Sequence, residues 1–133
     1  MKELELLNSK FVYKADKGES WKILKTVTNK KARQVYGDCE DYSLTLLWLL
    51  SKKSLFKFWL NILSFRYVLW FCKYEDEFHV ILKHKNKYVD NIQKKWIDKL
   101  PKQYTLLYPL IPAVDRDWET RLRIYKTTIR NGS

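Results

Sequence analysis

Residues 39 to 50, Cys-Glu-Asp-Tyr-Ser-Leu-Thr-Leu-Leu-Trp-Leu-Leu, constrain this chain more than any other stretch. Tyr42, Leu46 and Leu49 or Leu50 recur at helical spacing, and Leu44, Leu47 and Trp48 carry the apolar face around most of the circumference. A helix that is hydrophobic nearly all round has to be covered on every side, so the rest of the chain is expected to wrap it as its core. Gly37 breaks the backbone ahead of it and Ser51-Lys52-Lys53-Ser54 ends it. Cys39 is thereby set at the mouth of a buried helix, among the carboxylates Asp38, Glu40 and Asp41.

With 133 residues, 46% of them hydrophobic, the chain suits a single domain over 1–133 that buries roughly two-thirds of its unfolded surface. Only three glycines and three prolines occur, so no flexible linker or low-complexity run divides it. The formal net charge of +11 favours anionic partners, such as nucleic acid, acidic protein surfaces, cell wall or lipid head groups. The lysines are scattered, as on a solvated surface, and the one local acidic excess surrounds Cys39.

Cys39 and Cys72 are read as reduced, because two cysteines without a secretion signal make a weak disulfide case. Met1-Lys2-Glu3-Leu4-Glu5 lacks the basic start and apolar run of a signal peptide, which points to the cytoplasm; a monomeric protein is expected. Leu55 to Cys72 is rich in aromatic and aliphatic residues, but Lys57, Asn61 and Arg66 interrupt it. No transmembrane span is expected there; a monotopic amphipathic patch is the alternative.

Along the chain, residues 1–14 read as a short extended or irregular lead-in. Ser20 reads as the N-cap of a helix that starts at Trp21, buries Ile23, Leu24 and Val27, and ends near Asn29-Lys30. After the Cys39 helix comes a second helix over Phe56–Ser64, then strand-like runs at Arg66–Lys73, Phe78–Leu82 and Lys87–Asn91, separated by polar turns. Ile92–Leu100 reads as a short helix stopped by Pro101, Tyr104–Leu107 as a further strand, and Pro109 with Pro112 as a rigid turn. Helix and strand patterns balance over Trp118–Ile129. The fold class is α+β, a core helix packed on an antiparallel meander.

The second hairpin decides which side chains meet. A four-residue loop of Lys83–Asn86 sets His79 directly opposite Asp90, and a two-residue loop of Lys85–Asn86 leaves Asp90 diagonal to His79 on the same face. Both registers bring an imidazole beside a carboxylate. A thiol at a helix N-terminus is favoured as thiolate by the unpaired N–H groups there. A histidine held by a carboxylate supplies the base, and then the acid, for acyl transfer. Cys39, His79 and Asp90 meet these needs as a set, although cysteine and histidine in a small core are also common as structural residues. Cys72, beside Trp70 and Phe71, reads as an inert core thiol, and His84 as an exposed turn residue.

Gly37-Asp38-Cys39-Glu40-Asp41-Tyr42, Phe78-His79-Val80-Ile81-Leu82 and Val89-Asp90-Asn91 resemble the bacterial transglutaminase-like cysteine proteinase family, including its adhesin-cleaving members. The likeness covers about residues 16–92, and Glu19-Ser20-Trp21 fits the family's acidic-x-Trp element. It implies a papain-like fold with Cys39 as nucleophile, His79 as general base and Asp90 as its orienting partner. It also implies Asp38, Glu40 and Asp41 as candidate calcium ligands; the alternative is that these carboxylates cap the helix or pair with Lys30, Lys31 or Arg33. The oxyanion hole would use the Cys39 N–H and one side-chain donor, with Gln34 and Trp21 as candidates.

The expected function is a cysteine hydrolase that cleaves a peptide or amide bond in a protein or peptide substrate, an acidic one first, through an acyl-enzyme. Transglutamination and deamidation use the same intermediate. The lack of an export signal and the compact length also look like stand-alone versions carried by bacteriophages, placing the protein in the host cytoplasm. The alternative is a non-catalytic basic module on the same fold that contacts nucleic acid or an acidic partner.

Overall fold

The computed structural model describes residues 2–14, 20–110, 112–114 and 121–124, with 20–22, 112–114 and 121–124 described by backbone alone. At its centre is helix α2 (Cys39–Leu50). Tyr42, Leu44, Leu46 and Leu47 are completely buried, as the all-round apolar pattern requires, and so are Ser43 and Thr45. Those two hydroxyls are tolerated because both are satisfied: Thr45 Oγ1 accepts the Leu24 N–H at 2.8 Å and Ser43 Oγ donates to the Val80 carbonyl at 3.4 Å. The same bonds tie α2 to the chain before it and to the sheet after it.

Helix α1 (Lys2–Lys10) and strand β1 (Phe11–Tyr13) cover one side of α2. The extended lead-in expected over residues 1–14 is therefore confined to its last few residues. Leu4 and Leu7, three apart, are the buried positions of a helical turn, with Glu3 and Glu5 at its start and Lys10 at its end complementing the helix dipole. Phe11 packs edge-on against Tyr42 at 4.9 Å, and β1 pairs in parallel with β3 (Val35–Gly37).

The helix expected from Trp21 is absent. Ser20–Lys22 is strand β2, antiparallel to β9 (Arg121–Ile124), which also pairs with β8 (Pro112–Val114), and Lys25–Thr28 is a single 3₁₀ turn. Pairing with a segment a hundred residues away overrides the local helical pattern, while Ile23, Leu24 and Val27 are buried as expected.

After α2 the chain turns through Lys52 and Lys53, both at φ 60°, into α3 (Leu55–Leu63), whose N-cap Ser54 accepts the Lys57 N–H. Strands β4 (Tyr67–Tyr74), β5 (Glu77–His84), β6 (Lys87–Val89) and β7 (Tyr104–Leu110) form an antiparallel sheet in the order β6-β5-β4-β7. One core lies between α2 and the sheet face carrying Leu69, Val80, Leu82 and Leu110; a smaller one on the opposite face holds Cys72, Ile81 and Tyr104.

The helix expected over Ile92–Leu100 is also absent; a turn and an isolated bridge from Tyr88 to Ile97 stand there. Asp90 takes the Ile92 and Gln93 N–H groups on its own side chain, and Lys94 at φ 58° ends the turn. The rigid turn expected at Pro109 and Pro112 is replaced by strand: β7 runs through Pro109, which an edge strand tolerates, and Pro112 opens β8. Of Trp118–Ile129, residues 121–124 form β9 and the remainder lie outside the described residues. The chain is a mixed α+β protein with an antiparallel sheet, and among the described residues no helix is long and apolar enough to cross a membrane.

Candidate active site

The hairpin β5–β6 uses the two-residue loop. Leu82 pairs with Val89, Lys83 with Tyr88 and His84 with Lys87, with Lys85 in the left-handed region at φ 56°. Asp90, the first residue past β6, then falls diagonal to His79 and its Oδ2 lies 2.7 Å from His79 Nε2. Both side chains are buried, His79 at 6% exposure and Asp90 at 1%.

Asp90 is supported from all sides. Its Oδ1 accepts the backbone N–H groups of Ile92 (3.1 Å) and Gln93 (2.7 Å), and Tyr104 donates its hydroxyl to Oδ2 at 2.5 Å. Burial pushes the carboxyl pKa up, but the bonds from His79, Tyr104 and Gln93 outweigh it and hold Asp90 below the usual carboxylate range. An ionised carboxylate only accepts, so His79 Nε2 carries the hydrogen and Nδ1 is left as the free lone pair of the neutral ring. The Tyr74 and Tyr104 rings, with centroids 6.2 and 6.0 Å from that of His79, complete the surround.

Cys39 comes to this cluster along the edge of β5. Because β6 pairs with β5 only over Leu82–His84, Val80 has no strand partner on that side among the described residues. Helix α2 takes up its backbone instead: the Val80 carbonyl accepts Ser43 Oγ, and its N–H hydrogen-bonds the Cys39 thiol. Cys39 is thus docked on the residue that follows His79. Its Sγ lies 3.5 Å from Glu40 Oε2, to which the thiol donates, and not on the imidazole. His79, alternating with Val80, faces the smaller core.

The carboxylates beside the thiol are partly absorbed by helix capping. Asp38 is the N-cap: its Oδ1 accepts the Asp41 N–H and Asp41 Oδ2 accepts the Asp38 N–H, each at 3.3 Å. Gly37 makes room for this box, since a Cβ there would stand 2.7 Å from Asp41 Cβ. Glu40 is outside it; burial and its hydrogen bond to Asp38 push its carboxyl up to about 8, so at neutral pH it is mainly protonated. Burial, then the nearby charge of Glu40, pushes the Cys39 thiol up as well, against the smaller pull of the Val80 N–H.

Of the three candidate calcium ligands, Asp38 and Glu40 are brought into hydrogen-bond contact, whereas Asp41 is fully buried in the capping box. Two carboxyls fall short of the six to eight oxygens calcium takes, and among the described residues no three His, Cys, Asp or Glu side chains are gathered to hold an ion.

For the oxyanion hole, Gln34 is exposed and its Oε1 accepts the Tyr36 hydroxyl at 2.6 Å, while Trp21 sits in β2 with its side chain outside the described residues, as is Glu19. Cys72 is a fully buried free thiol pushed up to about 12 by burial and then the Asp90 charge. His84 is half-buried rather than exposed: its ring stacks on Tyr67 at 4.2 Å and Nδ1 donates to the Arg66 carbonyl. Sequence reasoning missed Tyr104 and the Val80 backbone. Tyr104 carries no local signal, but Asp90-Asn91 followed by two free N–H groups is the composition of a side-chain-capped turn. Comparison with protein-family models and with curated proteins returns no match for this chain.

Proposed function

We propose that the protein is a small cysteine hydrolase that opens a peptide or amide bond through an acyl-enzyme on Cys39, with His79 as base and Asp90 as its orienting partner. The observation that carries this reading is the buried His79–Asp90 pair at 2.7 Å, a carboxylate held ionised by three further donors and fixing the imidazole in one tautomer, beside a thiol docked on the next residue of the strand. A structural histidine in a small core needs one hydrogen-bond partner, not a carboxylate pre-organised by four donors.

In the reaction, substrate entry displaces the Glu40 bond, the thiol swings around the Val80 edge of β5 toward His79, and Nδ1 of His79 takes its proton. The thiolate attacks the carbonyl carbon, the Cys39 N–H at the start of α2 stabilises the oxyanion, and the imidazolium returns its proton to the leaving amine. Water, deprotonated by the same nitrogen, then releases the acid; an amine in its place gives transamidation, and a glutamine substrate gives deamidation. Asp90 stabilises the transient imidazolium throughout.

The competing reading, a non-catalytic basic module binding nucleic acid or an acidic partner, draws on the raised thiol pKa and the Cys39–Glu40 bond. Intact-mass analysis after incubation with a peptide thioester or an electrophilic peptide separates the two. A hydrolase accumulates a covalent adduct on Cys39 that Cys39→Ala abolishes; salt-sensitive DNA binding that is indifferent to Cys39→Ala, with no adduct, supports the module.

A further inference from the structure

Helix α3 buries Phe58 and Ile62 but leaves the opposite side bare: Phe56 is 77% exposed, Leu60 55% and Leu63 63%, spaced i, i+4, i+7, and Phe65 just beyond the helix end is 70% exposed. Three large apolar side chains in one row, with a fourth just past the helix end, are a patch, not the scattered exposure any surface has. Exposed Lys52, Lys53, Lys57 and Arg66 flank it, and no Asp or Glu occurs anywhere from Tyr42 to Tyr74. Glu3 lines a neighbouring groove together with Lys2, Lys52 and Lys53. Phe65 and Arg66 also line a cleft of about 540 Å³ with Tyr67, His84 and Lys85, so the apolar row runs into a basic, aromatic-floored hollow.

We propose that this face docks on an anionic lipid surface, with Phe56, Leu60, Leu63 and Phe65 entering the headgroup–acyl boundary, Lys53, Lys57 and Arg66 lying at the phosphates, and the cleft receiving a headgroup. The charge pattern selects this occupant. A second copy of the chain would bring the same lysines face to face, whereas an anionic bilayer offers apolar depth ringed by negative charge. An acidic protein would satisfy the cations but leave the row of phenylalanines and leucines without a role. Helix α2 has 12 residues, so at ~1.5 Å per residue its C-terminal end, from which the chain turns into α3, stands roughly 18 Å from Cys39. Cys39 sits at the opposite end of α2 from that turn, and docking does not depend on the hydrolase reading.

Flotation of the full chain with vesicles of phosphatidylcholine containing about one-third phosphatidylglycerol tests this. The protein is expected to float with these vesicles, to bind pure phosphatidylcholine at least about tenfold more weakly, and to lose about tenfold or more on Phe56→Ser with Leu60→Ser or, separately, on Lys57→Glu with Arg66→Glu. Cys39→Ala is expected to float as wild type does. All four positions of these variants are exposed, so a native circular-dichroism spectrum accompanies each loss. Failure to float with the anionic vesicles overturns the proposal. So does flotation unchanged by Phe56→Ser with Leu60→Ser, or equal binding to soluble polyglutamate that ignores those changes and marks an acidic protein as the partner. A dimer that dissociates on the same changes, with no flotation, overturns it in favour of self-association.

Discussion

Replacing Glu40 by Gln should free the Cys39 thiol, and the size of the effect follows from the geometry. Sγ and Glu40 Oε2 are 3.5 Å apart. Two unit charges at that separation repel by about 1 kcal/mol in a water-like medium and about 5 kcal/mol at the effective dielectric of a partly buried site, which corresponds to roughly one to three and a half pKa units on the thiol. The repulsion exists only when Glu40 is ionised, and its carboxyl is pushed up to about 8 by burial and Asp38. Below that pH the wild type and Glu40→Gln both present a neutral neighbour and should react alike; above it the wild-type thiol faces a carboxylate and the variant does not. The assay is the rate of Cys39 alkylation by iodoacetamide across this pH range, in a Cys72→Ala background. The expected result is a ratio of variant to wild type near one on the acid side, rising to about tenfold or more on the alkaline side. Superimposable pH profiles would refute the claim that Glu40 restrains the thiol.

Other outcomes follow from the same contacts. Tyr104→Phe removes one charge-assisted donor from Asp90 and should cost about 1.5–3 kcal/mol in urea unfolding, while raising the pH at which acid destabilises the protein. Asp90 has a folded pKa below its unfolded one, so its contribution is present above the ordinary carboxyl range and is lost as pH falls through the folded value; Asp90→Asn should flatten the acid limb of the stability curve. Glu40 has the opposite sign, its raised pKa giving stability at acid pH that is lost as pH rises toward 8, and Glu40→Gln should remove that loss in the same titration. Gly37→Ala forces a Cβ to 2.7 Å from Asp41 Cβ inside the capping box and should cost about 1–3 kcal/mol, read as a lower thermal midpoint.

What was legible in the sequence follows the range of the interactions involved. Helix α2 and its Lys52-Lys53 end are written in local spacing and appear as read, whereas Gly37 is no break but the last residue of β3, where the absence of a side chain makes room for the capping box. The α3 helix and the β4–β5–β6 meander were visible for the same reason. The pairing of His79 with Asp90 survived because both candidate hairpin registers kept the two residues on one face, and Lys85 at φ 56° in a two-residue loop is what selects between them. The errors sit where distant partners or side-chain caps decide. Ser20–Lys22 became a strand because β9 lies beside it, and residues 92–94 stayed a single turn because Asp90 intercepts the N–H groups a helix would start from. The three carboxylates around Cys39 looked alike in sequence but have three fates: Asp38 caps, Asp41 closes the capping box, and Glu40 alone faces the thiol.

The central claim is that His79 activates Cys39, although the thiol rests on Glu40 and on the Val80 N–H rather than on the ring. The most direct measurement is the rate of Cys39 labelling by a peptide-based, thiol-directed electrophile, comparing Cys72→Ala with Cys72→Ala/His79→Ala at neutral pH and identifying the labelled residue by mass. The account expects Cys39 to label and the loss of His79 to slow it by about 100-fold or more, the range of a general base. Labelling of Cys39 no faster than an ordinary exposed thiol, and indifferent to His79, would contradict it.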